Sequence, residues 1–207
     1  MAAPICLQGG AEFGPGCESM DAGMLYPTGA AVPRRVLVAP FAGRPGRERQ
    51  VAAANAERWY RGLGAVDVEV ALAEEDLEPA LDRAELLVLP GGSPSRLLEA
   101  LAPHRAAIQA ANLRGTAISG ASAGAMVLCA WTVLPDAGMR VAPGLALAPV
   151  DLVLVHYRGS RSWLDGALPQ LPADPVVLGL PERSGVVVQP DGTWTEAGVD
   201  PVTRLTA

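Results

Sequence analysis

The sequence predicts a doubly wound α/β fold: one domain over residues 1–207, with a mostly parallel sheet, helices on both faces and a hairpin at the C-terminal end. Three observations carry that expectation. Short apolar runs with strand character alternate with helix-like stretches through the first two thirds of the chain, as in a parallel sheet covered on both faces. Half of the 207 residues are apolar and 18% are charged, a globular composition with enough apolar mass for a substantial core. The length suits one α/β domain and falls short of two.

Taken in order, residues 5–7 form a short apolar start. Residues 8–32, rich in Gly and Pro, read as an excursion over the surface, a lid or a substrate loop. Residues 35–40 (RVLVAP) read as a buried strand, 47–62 as an Ala-rich helix closed by Gly, and 65–72 as a second strand. A helix follows near 75–83, then a strand at 85–90, helical stretches through 95–112, a strand at 116–120 and a helix at 123–131. Residues 151–156 and 175–180 read as strands, and 185–190 with 193–196 flank Asp191-Gly192, a strong hairpin signal. Sites in such sheets form at the carboxyl ends of the strands.

The formal charge of −6 argues against a nucleic-acid partner, whose phosphates call for clustered positive charge. The start of the chain lacks the basic region and apolar stretch of a secretory signal, and no apolar run reaches spanning length, so no membrane partner and a cytoplasmic setting are expected. Cys6, Cys17 and Cys129 are odd in number and scattered, which indicates neither a disulfide framework nor a metal site. All 16 basic residues are arginine. The absence of lysine removes Ser-Lys dyads, Schiff-base lysines and the P-loop lysine, and no cofactor is expected.

Gly120-Ala121-Ser122-Ala123-Gly124 matches G-x-S-x-G between a predicted strand and a predicted helix, the context in which small neighbours allow a strained turn that exposes the serine. A serine nucleophile needs a base, and the chain offers His104 or His156. His104 follows Pro103 in a helical stretch and reads as a solvated residue. His156 ends a predicted strand and should emerge at the same edge of the sheet as Ser122. Glu182, after the strand at 175–180, is the leading group to orient the imidazole, with Asp136, Asp151 and Asp165 as rivals. Gly91-Gly92-Ser93 follows a strand and forms either a plain turn or a loop whose Gly92 N–H pairs with Ala123 N–H as an oxyanion hole. Arg158 and Arg161, just past the candidate base, either hold a substrate carboxylate or are solvated.

These residues resemble the dipeptidase E and cyanophycinase group of serine peptidases. Gly120 to Ala125 is similar to the group's nucleophile segment, Gly9-Gly10-Ala11-Glu12 to its N-terminal Gly-Gly-x-Glu stretch, and Pro90-Gly91-Gly92 to the loop that supplies an oxyanion amide. His156-Tyr157 with the downstream arginines resembles its His-Phe segment, and Gly179-Leu180-Pro181-Glu182 the segment carrying the acidic triad member. The resemblance implies a class I glutamine amidotransferase-like, flavodoxin-like fold and a triad of Ser122, His156 and Glu182. Val155 stands where cyanophycinases carry Gln, and the arginine segment is shorter, which points toward a small-peptide substrate. The expected partners are a short peptide, preferentially one with an acidic residue, and, as an open alternative, a second copy of the chain in a homodimer. Two other readings on the same scaffold are a binding or regulatory protein and a glutamine amidotransferase proper, the latter requiring a cysteine where this chain has Ser122.

Overall fold

A computed structural model describes residues 2–27 and 30–206. The first strand, β1 (Ile5–Gln8), is followed by α1 (Glu18–Leu25), β2 (Val36–Val38), α2 (Arg47–Gly62) and β3 (Val68–Val70). Next come α3 (Leu77–Leu81), β4 (Leu86–Leu89), α4 (Pro94–Leu101), α5 (Arg105–Arg114), β5 (Ala117–Ala121) and α6 (Ala123–Leu128). The last third holds β6 (Trp131–Leu134), β7 (Arg140–Pro143), β8 (Leu152–Leu154), α7 (Ser162–Ala167), β9 (Val177–Gly179), β10 (Ser184–Val188), β11 (Trp194–Gly198) and β12 (Thr203–Leu205).

Among the described residues, the main sheet has seven strands in the order β11-β10-β1-β5-β4-β2-β3. The five strands from β1 to β3 are mutually parallel, and the predicted hairpin β10–β11 joins the sheet antiparallel to β1. From β3 to β5 the order is that of a flavodoxin-type sheet, with β1 in the fifth place and a switch in strand order between β2 and β4. Alternation within the strands explains the two covered faces. Val36, Val38, Leu86 and Val88 point into a cluster with α1 and α2, whereas Leu37, Leu87, Leu89 and Ile118 point into the core shared with α3 to α6.

Three expectations are corrected. Residues 8–32 are not a surface excursion: α1 lies within them, and Cys17, Met20, Met24 and Leu25 are buried against the sheet. Thr28 and Gly29 of that stretch lie outside the described residues. The helix expected through residue 131 ends at Leu128, because residues 145–148 return to donate to the carbonyls of Val127, Leu128 and Cys129 and the chain continues as β6. Finally, β8 and β9 do not join the main sheet; they pair in parallel with each other in a separate three-stranded sheet with β12.

Candidate active site

The turn between β5 and α6 holds Ser122 at φ 50° and ψ −111°, a conformation that L residues rarely adopt and that active sites store as strain. Close packing dictates its small neighbours. A Cβ at Gly120 would come within 2.5 Å of the Gly124 backbone, and one at Gly124 would collide with the carbonyl of Leu89.

The parallel pairing of β8 with β9 places their carboxyl ends side by side, Leu154 opposite Gly179. His156 follows one strand and Glu182 the other, so the two side chains meet: His156 Nδ1 lies 3.0 Å from Glu182 Oε1. On its other side, His156 Nε2 lies 3.0 Å from Ser122 Oγ. His156 therefore reaches the serine from a second sheet, and not from the edge expected for it.

Three consecutive carbonyls at the exit of β1 register these parts. Ser122 N donates to Gln8 O (2.9 Å), His156 N to Gly9 O (2.8 Å) and Arg183 N, next to Glu182, to Gly10 O (2.9 Å). The Gln8 side chain is buried behind the turn, where its Nε2 donates to Asp21 Oδ1 (2.6 Å) and Ser119 Oγ (3.2 Å). Asp21 also accepts from Trp59 Nε1 (2.8 Å) and Tyr60 Oη (3.3 Å). Burial pushes the Asp21 carboxyl up to about 6, against the pull of those three donors.

Gly91 and Gly92 follow β4 and pass beside the serine. The point a Cβ would occupy on Gly91 is 3.1 Å from Ser122 Cβ and 2.7 Å from Glu12 Oε1. Gly91 N is committed to that carboxylate at 2.8 Å, while the N–H groups of Gly92 and Ala123 have no acceptor among the described residues. A cleft of about 330 Å³, bounded by Glu12, Phe13, Asn55, Arg58 and Gly91 and by none of Ser122, His156 and Glu182, adjoins this loop on the Glu12 side.

The other sequence candidates separate clearly. Asp136 accepts from Ser93 and Ser95, Asp151 from Val176 N, and Asp165 faces Arg161, so Glu182 is the carboxylate beside His156. His104 is not simply solvated, since its Nδ1 lies 2.7 Å from Glu78. Arg158 is largely exposed with Nη2 3.8 Å from Glu182, and Arg161 donates to Thr206 O at 2.8 Å. Glu12, whose carboxylate holds Gly91 N, and Arg58, which lines the adjoining cleft, were not singled out from the sequence as site residues, whereas Asp136 was named as a rival acid. Glu12 had a signal only as the last letter of Gly-Gly-x-Glu; Arg58 reaches the cleft beside Glu12 and Gly91 through tertiary packing, and Asp136 meets Ser93 and Ser95, just past Gly91 and Gly92, and not the triad.

Residues 9–163 match Peptidase family S51, a stretch that includes Ser122 and His156. The fold is similar to the crystal structure of a peptidase from an acI-B1 actinobacterium, with a TM-score of 0.82 and 21% identity over 99% of this chain and 91% of that one. It is also similar to a candidate peptidase E protein from Listeria monocytogenes EGD-e, with a TM-score of 0.70 and 12% identity over 97% of this chain and 100% of that one. No curated protein matches the sequence.

Proposed function

Because the chain belongs to peptidase family S51 and is a serine peptidase, we propose that it cleaves short peptides, with a preference for an acidic residue, through a Ser122-His156-Glu182 triad and an acyl-enzyme. The observation that carries this reading is the unbroken line of contacts from Ser122 Oγ through both nitrogens of His156 to Glu182. In the proposed reaction Ser122 Oγ attacks the scissile carbonyl while His156 Nε2 takes its proton. The resulting oxyanion faces the N–H groups of Gly92 and Ala123, and Glu182 stabilises the imidazolium through Nδ1. Collapse breaks the C–N bond, and the leaving amine takes the proton from His156. Water, deprotonated by the same imidazole, then hydrolyses the ester.

The acidic preference rests on two arginines. Arg58 lines the cleft that Glu12 and Gly91 bound, and Arg158 stands at the Glu182 end of the triad with its guanidinium exposed. Either fork can pair with a carboxylate in two parallel hydrogen bonds. Cys6, Cys17 and Cys129, buried and unpaired, support a reducing cytoplasmic setting. No helix among the described residues is long and apolar enough to cross a membrane. A screen of short peptides varied at both ends, run beside Ser122→Ala, tests the reading: turnover should be confined to peptides of a few residues and vanish in the variant.

A further inference from the structure

We propose that Asp136 is a positioning residue that fixes the loop from Gly91 to Ser95, and through it the Gly92 amide, for oxyanion binding; this rests on the reading of Gly92 as an oxyanion donor. Asp136 lies in the turn between β6 and β7, in a separate two-stranded sheet. Its Oδ2 accepts both from Ser93 Oγ and, at 2.6 Å, from Ser95 Oγ. Ser93 is buried and directly follows Gly92. Its hydroxyl also accepts from Arg96 N at 3.2 Å, capping α4, and its own N donates to Ala42 O at 3.1 Å.

On the other flank Glu12 holds Gly91 N. Gly92 is thus the residue between two carboxylate-held neighbours, with its φ at +139° and a Cβ excluded by Ala42. An oxyanion donor acts only when it stands about 2.7–3.1 Å from where the charge develops, so fixing both neighbours is what its task requires. Partial burial alone would raise the Asp136 carboxyl, but the hydroxyls of Ser93 and Ser95 outweigh it and hold the group below the usual carboxylate range. It therefore stays an ionised acceptor for both serines.

The test is a cycle of Asp136→Ala, the pair Ser93→Ala with Ser95→Ala, and the triple variant, reading kcat, KM and the pH profile on a peptide the wild type cleaves. Each of the first two should lower kcat roughly ten- to a hundredfold with KM nearly unchanged. The triple variant should be no worse than the pair, the midpoint of the pH profile should not move, and threonine at both serine positions should restore the rate. Losses that multiply in the triple variant, a moved midpoint, or an unchanged kcat would overturn the proposal. If Asp136→Ala does not fold, Ser95→Ala alone, at a half-buried position, must still lower kcat. Ser122→Ala separates the two levels: an active Ser122→Ala defeats the serine reading itself, whereas an inactive one beside a fully active Asp136→Ala defeats only this inference.

Discussion

Gly10 lies directly against the imidazole of His156: its φ is +120°, and a Cβ built on it would overlap the ring, within 2.8 Å of Nδ1. The same residue offers its carbonyl to Arg183 N, so the exit of β1 both seats the ring and anchors the Glu182 segment. Gly10→Ala should leave the fold standing with a lowered melting temperature but reduce kcat/KM by about a hundredfold, the usual scale for displacing a reacting group by about 1 Å. Peptide kinetics alongside a thermal melt check this; a folded variant at full activity would show that the ring is seated by something else.

Glu182 is the carboxylate within reach of His156, and Asp165 is turned to Arg161. Glu182→Ala should cost activity heavily but less than Ser122→Ala, because the acid orients the imidazole without entering the covalent step. Asp165→Asn should leave kcat/KM unchanged.

Much of this arrangement was legible in the sequence because it is local. The turn around Ser122 announces itself through five consecutive residues, α2 ends at the Gly62 expected of it, and the hairpin around Asp191-Gly192 is β10–β11. What stayed hidden depends on distant chain segments. Strands β8 and β9 carry the same apolar pattern as core strands of the main sheet, and nothing in 151–156 tells which sheet they join. Helix α1 has no side-chain cap and contains Gly23, so its apolar positions, Met20, Met24 and Leu25, were masked by Gly- and Pro-rich surroundings. The role of Asp136 depends on a hydrogen bond across 43 residues of chain.

The buried Asp21 predicts a pH dependence of stability. Burial raises its carboxyl from 3.8 to about 6, so the folded state holds the proton more tightly than the unfolded state. By linkage its contribution is full below about pH 4 and is lost as pH rises through about 6, a loss of about 3 kcal/mol from this group alone. Chemical denaturation of wild type and Asp21→Asn across that window checks it. The variant should lack this downward trend even if its overall stability is lower; equal slopes would place the titration elsewhere.

Substrate charge should be read by Arg58 or Arg158 and not by Arg161, whose guanidinium is engaged by Thr206 O and Asp165. Comparing kcat/KM for an Asp-containing dipeptide and its Asn counterpart, Arg58→Ala or Arg158→Ala should erode the preference by roughly 1–3 kcal/mol, and Arg161→Ala should preserve it. Equal discrimination in all three variants would remove arginine pairing as the source of specificity.

Whether His156 activates Ser122 as a nucleophile is read most directly by covalent labelling. Wild type, His156→Ala and Ser122→Ala would each be treated with a fluorophosphonate and the adduct located by peptide mass spectrometry. A single phosphonyl adduct should form on Ser122 in the wild type, with labelling slowed by orders of magnitude in His156→Ala and absent in Ser122→Ala. Peptide cleavage by a wild-type protein whose Ser122 stays unlabelled, or an adduct formed equally fast without His156, would contradict that activation.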